Sequence, residues 1–255
     1  MRIENSFIPV RGVGERTERR LWENGVTHWD EFDGRVVGAT LADRIERFIE
    51  NAREPLAQND LAYFASSMPN GSRWRLYENA ASTACFLDIE TTGLDASRDV
   101  VTTVSLHRAG ETTTFVRGRD LTADALASEL AETPLLVTFN GLQFDVPFLE
   151  SRLDLDVDVP HLDLRYPCSR VGLTGGLKRI EREVGIGRDL PDLSGRDAVR
   201  LWHEYERGDD AALERLIRYN RADTVNLQQL AREVTDRLHC EIFESACEGG
   251  VDASR

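Results

Sequence analysis

The chain has 255 residues, of which 41% are hydrophobic, and this apolar content is sufficient for the core of one large domain or of two smaller ones. Disorder of the whole chain is therefore excluded. The 31 basic and 45 acidic residues give a formal net charge of −14, which argues against a protein that holds nucleic acid mainly by bulk electrostatic attraction.

The sequence carries no sign of a membrane protein or of a disulfide scaffold. No run approaches the roughly 18 consecutive apolar residues of a membrane span, and the start MRIENSFIPV lacks the features of a signal peptide. We therefore expect a cytoplasmic location and no membrane partner. The cysteines, at positions 85, 168, 240 and 247, form no CxxC pair, so we expect reduced thiols and, near His239, no zinc site.

The basic residues are nearly all arginine, because Lys178 is the one lysine in the chain. Acid-rich, lysine-poor composition is typical of proteins from salt-loving microbes, and a GC-rich genome that favours arginine codons is the alternative explanation. The sequence leads us to the halophilic hypothesis.

Residues 1–79 read as a small helical region. The pattern predicts a helix from Glu15 to Asn24 that ends at Gly25, and a second helix with an apolar stripe along residues 41–52. The Pro-Asn-Gly turn at residues 69–71 marks a linker. We therefore place a domain boundary near residue 80.

Residues 80–240 read as an α/β domain. The pattern predicts strands at residues 84–90, 100–108 and 112–117, then a helix at 121–132, a strand at 135–139 and a helix at 146–153. This order indicates an antiparallel meander followed by parallel strands, with helices flanking a mixed sheet. Helices dominate from Leu177, with the clearest at residues 211–238, and residues 241–255 are a C-terminal tail that we expect to fray from Glu248.

Two carboxylates end the first predicted strand. Asp88 and Glu90 are two residues apart, so a strand directs both side chains to the same face. Such pairs also arise by chance in so acidic a chain, but two charges at the end of a buried strand require a compensating cation. A divalent metal ion is the natural candidate.

Two further segments contain candidate site residues. Asp145 follows the turn at Asn140 and Gly141 after the next buried strand, where it is either a site residue or a helix N-cap. Tyr219 and Asp223 are four residues apart on a predicted helix and therefore share a face. The alternative for this pair is a core aromatic beside a solvated acid.

Together the three segments resemble the DEDD exonuclease superfamily, the DnaQ-like members of the ribonuclease H-like fold, and most of all its YprB-type branch. The resemblance covers residues 82–238 and implies a ribonuclease H-like sheet with Asp88, Glu90, Asp145 and Asp223 as metal ligands. The histidine subtype would place His five residues before the last aspartate, where this chain has Arg218, whereas Tyr219 lies four before it. The tyrosine subtype follows, with Tyr219 orienting or helping to deprotonate the attacking water.

The resemblance implies a nuclease that removes nucleotides from the 3′ end of single-stranded DNA or RNA with two Mg²⁺ or Mn²⁺ ions. Thr91, Thr92 and Leu94 match positions that contact the terminal nucleotide in this family, and Asn140 joins them as a substrate-binding candidate. The alternatives are a structure-specific or hybrid-cleaving endonuclease on the same fold and a non-catalytic nucleic-acid-binding protein.

Two segments are candidates for further contacts with phosphates. Residues 161–182 have a local net charge of +3, and Lys178 follows Gly175 and Gly176 at a predicted helix start, although a solvated helix face explains the same pattern. His161, in the same segment, reads as structural. In the N-terminal region, Gly12 and Gly14 resemble the turn of a helix-hairpin-helix, whose amides would hold a phosphate, and a tight connection is the alternative.

The halophilic hypothesis makes a prediction about stability. Near 1 M salt the Debye length is about 3 Å, so repulsion among the surplus acids is screened. We expect the melting temperature to rise steeply from low to molar salt in a thermal denaturation series. An unchanged melting temperature would contradict the hypothesis.

Overall fold

The computed structural model describes residues 1–252 of the chain and the side chains of residues 1–248. The chain forms two compact units. Unit 1 comprises Met1–Ala81, Tyr166–Gly172 and the chain from Arg232 onward, and unit 2 comprises Ser82–Arg165 and Leu173–Ala231. Both the N-terminal region and the end of the chain thus contribute to unit 1.

Helices and strands follow in the expected mixed order. The helices are α1 (Glu15–Glu23), α2 (Ala39–Ala57), α3 (Leu61–Ala65), α4 (Tyr77–Ala80), α5 (Ala123–Ala131), α6 (Asp145–Leu153), α7 (Arg165–Arg170), α8 (Leu177–Val184), α9 (Gly195–Glu206), α10 (Asp210–Leu238) and α11 (Ser245–Asp252). The strands are β1 (Cys85–Thr91), β2 (Val101–Arg108), β3 (Glu111–Val116), β4 (Leu136–Thr138) and β5 (His161–Asp163). Short 3₁₀ helices cover Ile3–Asn5, Trp29–Glu31 and Asn70–Leu76, and a π-helix covers His239–Glu244.

Unit 1 is helical and contains a buried ion pair. The Glu18 carboxylate accepts hydrogen bonds from the Ser6 hydroxyl and the Phe7 amide at 2.6 and 2.9 Å and from the Arg75 guanidinium at 2.6 Å. Both charged side chains are almost completely buried. Removing one partner of such a pair leaves an uncompensated buried charge, which costs about 3–5 kcal/mol.

The chain after α10 continues as the π-helix and α11, so it is helical as far as Asp252, within the segment that the sequence analysis expects to fray from Glu248. Ala246 is fully buried, and the ring of Phe243 lies edge-on to Trp22 with centroids 5.1 Å apart. Both aromatic residues belong to unit 1. Apolar packing therefore holds residues 243–246, and residues 253–255 of the expected tail lie outside the described residues.

The five strands form one sheet in unit 2 with the order β3-β2-β1-β4-β5. The β1–β2 and β2–β3 pairs are antiparallel, and the β1–β4 and β4–β5 pairs are parallel. The expected ribonuclease H-like mixed sheet, with an antiparallel meander followed by parallel strands and flanking helices, is confirmed. β1 lies where the two kinds of pairing meet, a position at which α/β sheets commonly open a ligand site.

The two faces of β1 have different roles. Leu87 and Ile89 join a buried cluster that includes Leu126 and Leu130 of α5 and Phe148 of α6. Because side chains alternate along a strand, Asp88 and Glu90 point to the opposite face. The apolar face thereby anchors the strand that positions these two acids.

The sequence analysis missed β5, a three-residue strand. His161, which it interpreted as structural, lies on this strand, and its ring Nε2 is hydrogen-bonded to the Thr138 hydroxyl at 2.8 Å. Within the described part of the chain, no helix combines the length and the apolar character that a membrane crossing requires.

Candidate active site

Three of the predicted carboxylates converge at the end of β1. Oxygen atoms of Asp88, Glu90 and Asp223 lie within 4.8 Å of one another. Asp223 is buried and comes from the middle of α10, so it reaches β1 across about 130 residues of sequence. The pairing of β1 with β2 shifts register between Glu90 and Thr91, an irregularity that re-aims side chains at the end of a strand.

Asp145 is the first residue of α6 and is 5% exposed. Its carboxylate is not among the three whose oxygens converge, but it lies close enough to Asp88 for that charge to raise its pKa. It accepts a hydrogen bond from the backbone amide of Ile89. The helix begins at Asp145 itself, with Phe144 at the cap position, so the arrangement differs from the N-cap alternative.

The turn that precedes α6 is held by Asp163 at the end of β5. This buried carboxylate accepts hydrogen bonds from the amides of Asn140 at 2.7 Å, Leu142 at 3.2 Å and Arg165 at 3.0 Å. The Asn140 side chain, a predicted substrate contact, accepts a hydrogen bond from Arg165. Asp163 therefore fixes the conformation of the turn that positions Asp145 at the start of α6.

Gly141 in this turn makes a close approach that no other residue could make. A Cβ atom at this position would overlap with the Thr138 side chain. Its neighbour Asn140 has a φ of +66°, a left-handed conformation that asparagine tolerates better than most residues. The sequence interpretation of Gly141 as the residue of a sharp turn agrees with this geometry.

Asn220 links Asp88 to the sheet. Its amide group donates to the Asp88 carboxylate at 2.7 Å and to the Asp88 carbonyl oxygen at 3.2 Å, and its carbonyl oxygen accepts from the Ser105 hydroxyl at 2.7 Å. Ser105 stands opposite Asp88 on β2. The side-chain direction of Asp88 is therefore set by a hydrogen-bond chain from β2 through α10.

Arg188 supplies a positive charge directly at the carboxylates. Its guanidinium donates to Asp223 and to Glu181, and the Arg188 side chain is only 7% exposed. Glu181 is fully buried in α8 and also accepts a hydrogen bond from Asn226 at 3.0 Å. Arg188 is thus held between a structural acid and a candidate metal ligand.

Tyr219 lies next to the carboxylates and is buried. Burial raises the pKa of its phenol, and the charges of Glu90 and Asp88 raise it further, whereas Arg188 lowers it. The phenol therefore keeps its proton at neutral pH. The Lys178 ammonium lies 4.6 Å from the Tyr219 ring centroid and donates to the Leu193 carbonyl oxygen.

Desolvation dominates the electrostatics of the cluster. The pKa of Asp88 is raised to about 7, first by burial, and the pKa values of Glu90 and Asp145 are raised well above their usual range by burial and then by Asp88. Asp88 and Glu90 are only partly accessible to solvent, and protein surrounds most of each carboxyl group. Burial and the proximity of other acids therefore make the ionised forms of these carboxyl groups less favourable.

This donor set fits a divalent cation. Oxygen atoms of carboxylates are the ligands that Mg²⁺ and Mn²⁺ prefer, and several acids that share one recess repel one another until a cation compensates them. Asp88, Glu90 and Asp223 could hold such an ion, with Asp145 adjacent. The structure thus brings together three of the four predicted metal ligands.

An apolar cavity of about 570 Å³ adjoins Glu90. Thr91, Leu94, Phe144 and Val199 contribute to its lining, and Leu94 is 86% exposed. The Thr91 hydroxyl donates to the Gly93 carbonyl oxygen at 2.5 Å, and the Thr92 hydroxyl accepts from the Val100 amide at 3.0 Å. The two threonines therefore shape the loop that presents Leu94.

The remaining predicted contacts, Gly12 and Gly14, lie in unit 1. Gly12 has a φ of +99°, and Gly14 precedes the first residue of α1. Residues 8–15 border a cavity of about 640 Å³ to which Arg170 also contributes, and Arg170 is paired with Glu15. The element before this turn is a three-residue 3₁₀ helix rather than an α-helix, so the first arm of the expected hairpin is short.

The sequence analysis missed Asp163, Asn220 and Arg188. Asparagine is unfavourable in the interior of a helix. Its occurrence at position 220, next to Tyr219, was the one feature of the sequence that could have indicated a functional role for Asn220. Asp163 is one of many acids in an acidic chain, and Arg188 lies in a loop without a pattern. Only the three-dimensional contacts identify these two residues.

Asn220 provides a test of the hydrogen-bond chain. Asn220→Ala removes the donors to Asp88, and losing such a supporting contact typically lowers metal affinity or activity by about 10–100-fold. We expect a decrease of this size in Mn²⁺ affinity measured by calorimetry. Gln229→Ala, an exposed change on the same helix, is the control, and equal affinities of the two variants would contradict the assignment.

Comparison with known proteins places this geometry in a family. A search of curated proteins gives no match. The structure is similar to a family B DNA polymerase from the hyperthermophilic archaeon Pyrobaculum calidifontis, with a TM-score of 0.48 and 20% identity over 61% of this chain and 24% of the polymerase chain. It is also similar to a nuclease in its apo form, with a TM-score of 0.47 and 22% identity over 68% of this chain and 83% of the nuclease chain.

The chain thus corresponds to about a quarter of the length of the polymerase. A family model of the RNase_H superfamily matches residues 85–235, which include β1, the convergent acids and most of α10. The chain belongs to the RNase_H superfamily.

Proposed function

We propose that the protein is a metal-dependent 3′–5′ exonuclease of the DEDD tyrosine subtype that acts on single-stranded ends of DNA or RNA. The observation that carries this proposal is the convergence of Asp88, Glu90 and Asp223 within 4.8 Å, with Asp145 and Tyr219 beside them. Three acids from two distant segments therefore converge at the end of one strand, and Asp145 and Tyr219 are close enough for the charge of Asp88 to raise their pKa values.

The carboxylates would hold two Mg²⁺ or Mn²⁺ ions, which supply a nucleophilic hydroxide and charge stabilisation at the leaving oxygen. The chain contributes the geometry around them. Asn220 and Ser105 orient Asp88, and Asp163 orients the turn that carries Asp145. The bound cations would make the site locally positive, so that a protein with a net charge of −14 could bind a polyanion there.

Tyr219 would act as a hydrogen-bond donor in this site. Because the pKa of its phenol is raised, the group retains its proton and can donate to an oxygen of the scissile phosphate or to the attacking water. The Lys178 ammonium over the ring of Tyr219 restricts its position. Tyr219 would thus orient reacting groups rather than accept a proton.

The cavity beside Glu90 would receive the 3′-terminal nucleotide. Its apolar lining suits a base, and the exposed Leu94 side chain at its edge could pack against that base. Thr91 and Thr92 shape the loop, and Asn140 is held near the start of α6 by Arg165. A pocket that accepts one terminal base favours an exonuclease over an endonuclease.

Unit 1 would add a contact that does not depend on sequence. The turn at Gly12 and Gly14 exposes backbone amides at the start of α1, and Arg170 neutralises Glu15 in the first turn. Amides in this arrangement can hold a backbone phosphate without reading bases. This contact would add affinity and would leave the chemistry unchanged.

The principal test is hydrolysis of end-labelled DNA and RNA strands with Mg²⁺, Mn²⁺ or a chelator. Asp88→Asn keeps the size of the side chain but removes its charge, so we expect metal-dependent shortening from the 3′ end to disappear. Asp124→Asn, the same change on an exposed face of α5, is the control and should retain the wild-type rate. Wild-type activity of the Asp88→Asn protein would exclude the catalytic assignment.

A closed circular strand distinguishes the proposed exonuclease from the first alternative, an endonuclease. A 3′–5′ exonuclease leaves the circle intact. A structure-specific or hybrid-cleaving endonuclease would cut the circle, either alone or paired with a complementary strand as an RNA/DNA hybrid. Tight binding without any metal-stimulated product would instead identify a non-catalytic binding protein.

Tyr219→Phe tests the role of the phenol. Removing one donor that stabilises charge in a transition state typically slows a reaction by about 10²–10³-fold. We expect a decrease of this order in kcat for single-strand hydrolysis, with little change in strand affinity. A rate within a factor of about two of the wild-type rate would show that catalysis depends on the aromatic ring of Tyr219 and not on its hydroxyl group.

A further inference from the structure

A second cavity of unit 2, of about 810 Å³, has Arg188 in its lining. Its walls come from the loop at residues 187–189, from Thr112 on β3 and from one face of α10. Arg188 also donates a hydrogen bond to Asp223. One side chain therefore connects the cavity to a candidate metal ligand.

Three arginines share this cavity in a strongly acidic chain. Arg188 comes from the loop, and Arg218 and Arg221 are three residues apart on one face of α10. The acids in the lining are Asp189 and Glu214. The cavity thus has a positive charge balance, in contrast to the net charge of −14 of the whole protein.

The guanidinium groups retain donors for a ligand. Arg218 is paired with Asp189, but each side chain is 60% exposed, so the pair is weak and can be exchanged. One nitrogen of Arg221 donates to the Thr112 carbonyl oxygen at 2.8 Å. A guanidinium has five N–H donors, and both groups therefore have unused ones.

Arg188 is the buried arginine of the cavity lining, with a side chain that is 7% exposed. Its guanidinium is already bonded to Glu181 and Asp223. The exposed Arg218 and Arg221 therefore supply most of the donors that an anion in the cavity could reach.

We propose that this cavity binds a backbone phosphate of the nucleic-acid strand through Arg188, Arg218 and Arg221. Arginine forks match the oxygens of a phosphate, and the volume is within the range of small-ligand sites. The identity of the strand as the ligand rests on the proposed nuclease function. The phosphate would lie beside Arg188, which donates to Asp223, in a cavity that shares no described lining residue with the one that adjoins Glu90.

The test measures strand affinity without hydrolysis. A short 5′-labelled single strand is titrated by fluorescence anisotropy with the full chain in Ca²⁺, which takes oxygen ligands as Mg²⁺ does. The double variant Arg218→Gln/Arg221→Gln removes two exposed arginines of the cavity and leaves Arg188 on Asp223. Arg215→Gln, which removes one exposed arginine of α10 outside the cavity, is the control for the loss of a surface charge, and melting curves confirm that both proteins are folded.

We expect Kd to rise about tenfold or more in the double variant and to change little in Arg215→Gln, because charge-assisted hydrogen bonds are lost in the first protein alone. The slope of log K against log salt should decrease by about 0.7 for the one phosphate lost. A scan that replaces each phosphate with an uncharged methylphosphonate locates the contact. One position should weaken wild-type binding and have no further effect in the double variant.

Equal affinities of the double variant and Arg215→Gln would overturn the proposal. A methylphosphonate penalty that is the same in wild type and double variant at every position would also overturn it. These outcomes differ from failure of the nuclease function, in which the wild type does not shorten the strand, whether or not it binds it. If the wild type shortens the strand and the Asp88→Asn protein does not, the nuclease function stands, and the binding results then test the assignment of this cavity alone.

Discussion

Repulsion between carboxylates that share one recess is the constraint on which the site depends. Asp88, Glu90 and Asp223 are brought together although burial raises the pKa values of Asp88 and Glu90 and the charge of Asp88 raises that of Glu90 further. The fold supports this arrangement from several directions. Hydrogen bonds through Asn220 orient Asp88, and Arg188 offsets part of the charge at Asp223. A site built in this way favours a bound cation, because the acids are only partly compensated by the protein itself.

Much of the fold could be predicted from the sequence because its elements follow simple periodicities. The strands before Glu90 and around β2 and β3 alternate or form apolar runs, and the observed boundaries differ from the expected ones by one or two residues. The site acids could be predicted as a group because three spaced motifs are far less frequent by chance than any one. The three-residue strand β5 was missed because it is too short for a period to appear.

The parts that could not be predicted are contacts between side chains from distant segments. Asp163 holds the turn before α6 through backbone amides, and no pattern distinguishes it among the other acids. Lys178 illustrates the same limit: its ammonium lies over Tyr219 and donates to a backbone carbonyl oxygen, contacts that no pattern in the sequence indicates, and its phosphate contact stays a prediction. Sequence spacing indicates which residues share an element, whereas packing decides what each of them contacts.

The long helix α10 has a consequence for how the molecule is made. It carries Tyr219 and Asp223 in unit 2, and from Arg232 onward the same chain completes unit 1, whose other part begins at Met1. During synthesis, the N-terminal helices therefore leave the ribosome long before the segment that contains Phe243 and Ala246. Trp22 can contact the ring of Phe243 only after that later segment has been synthesised. Unit 1 can therefore reach its native packing only after the sheet of unit 2 has been translated. The N-terminal helices of unit 1 therefore emerge early and complete their packing late, and a ribosome that stalls before Arg232 would leave their apolar surfaces open to chaperones.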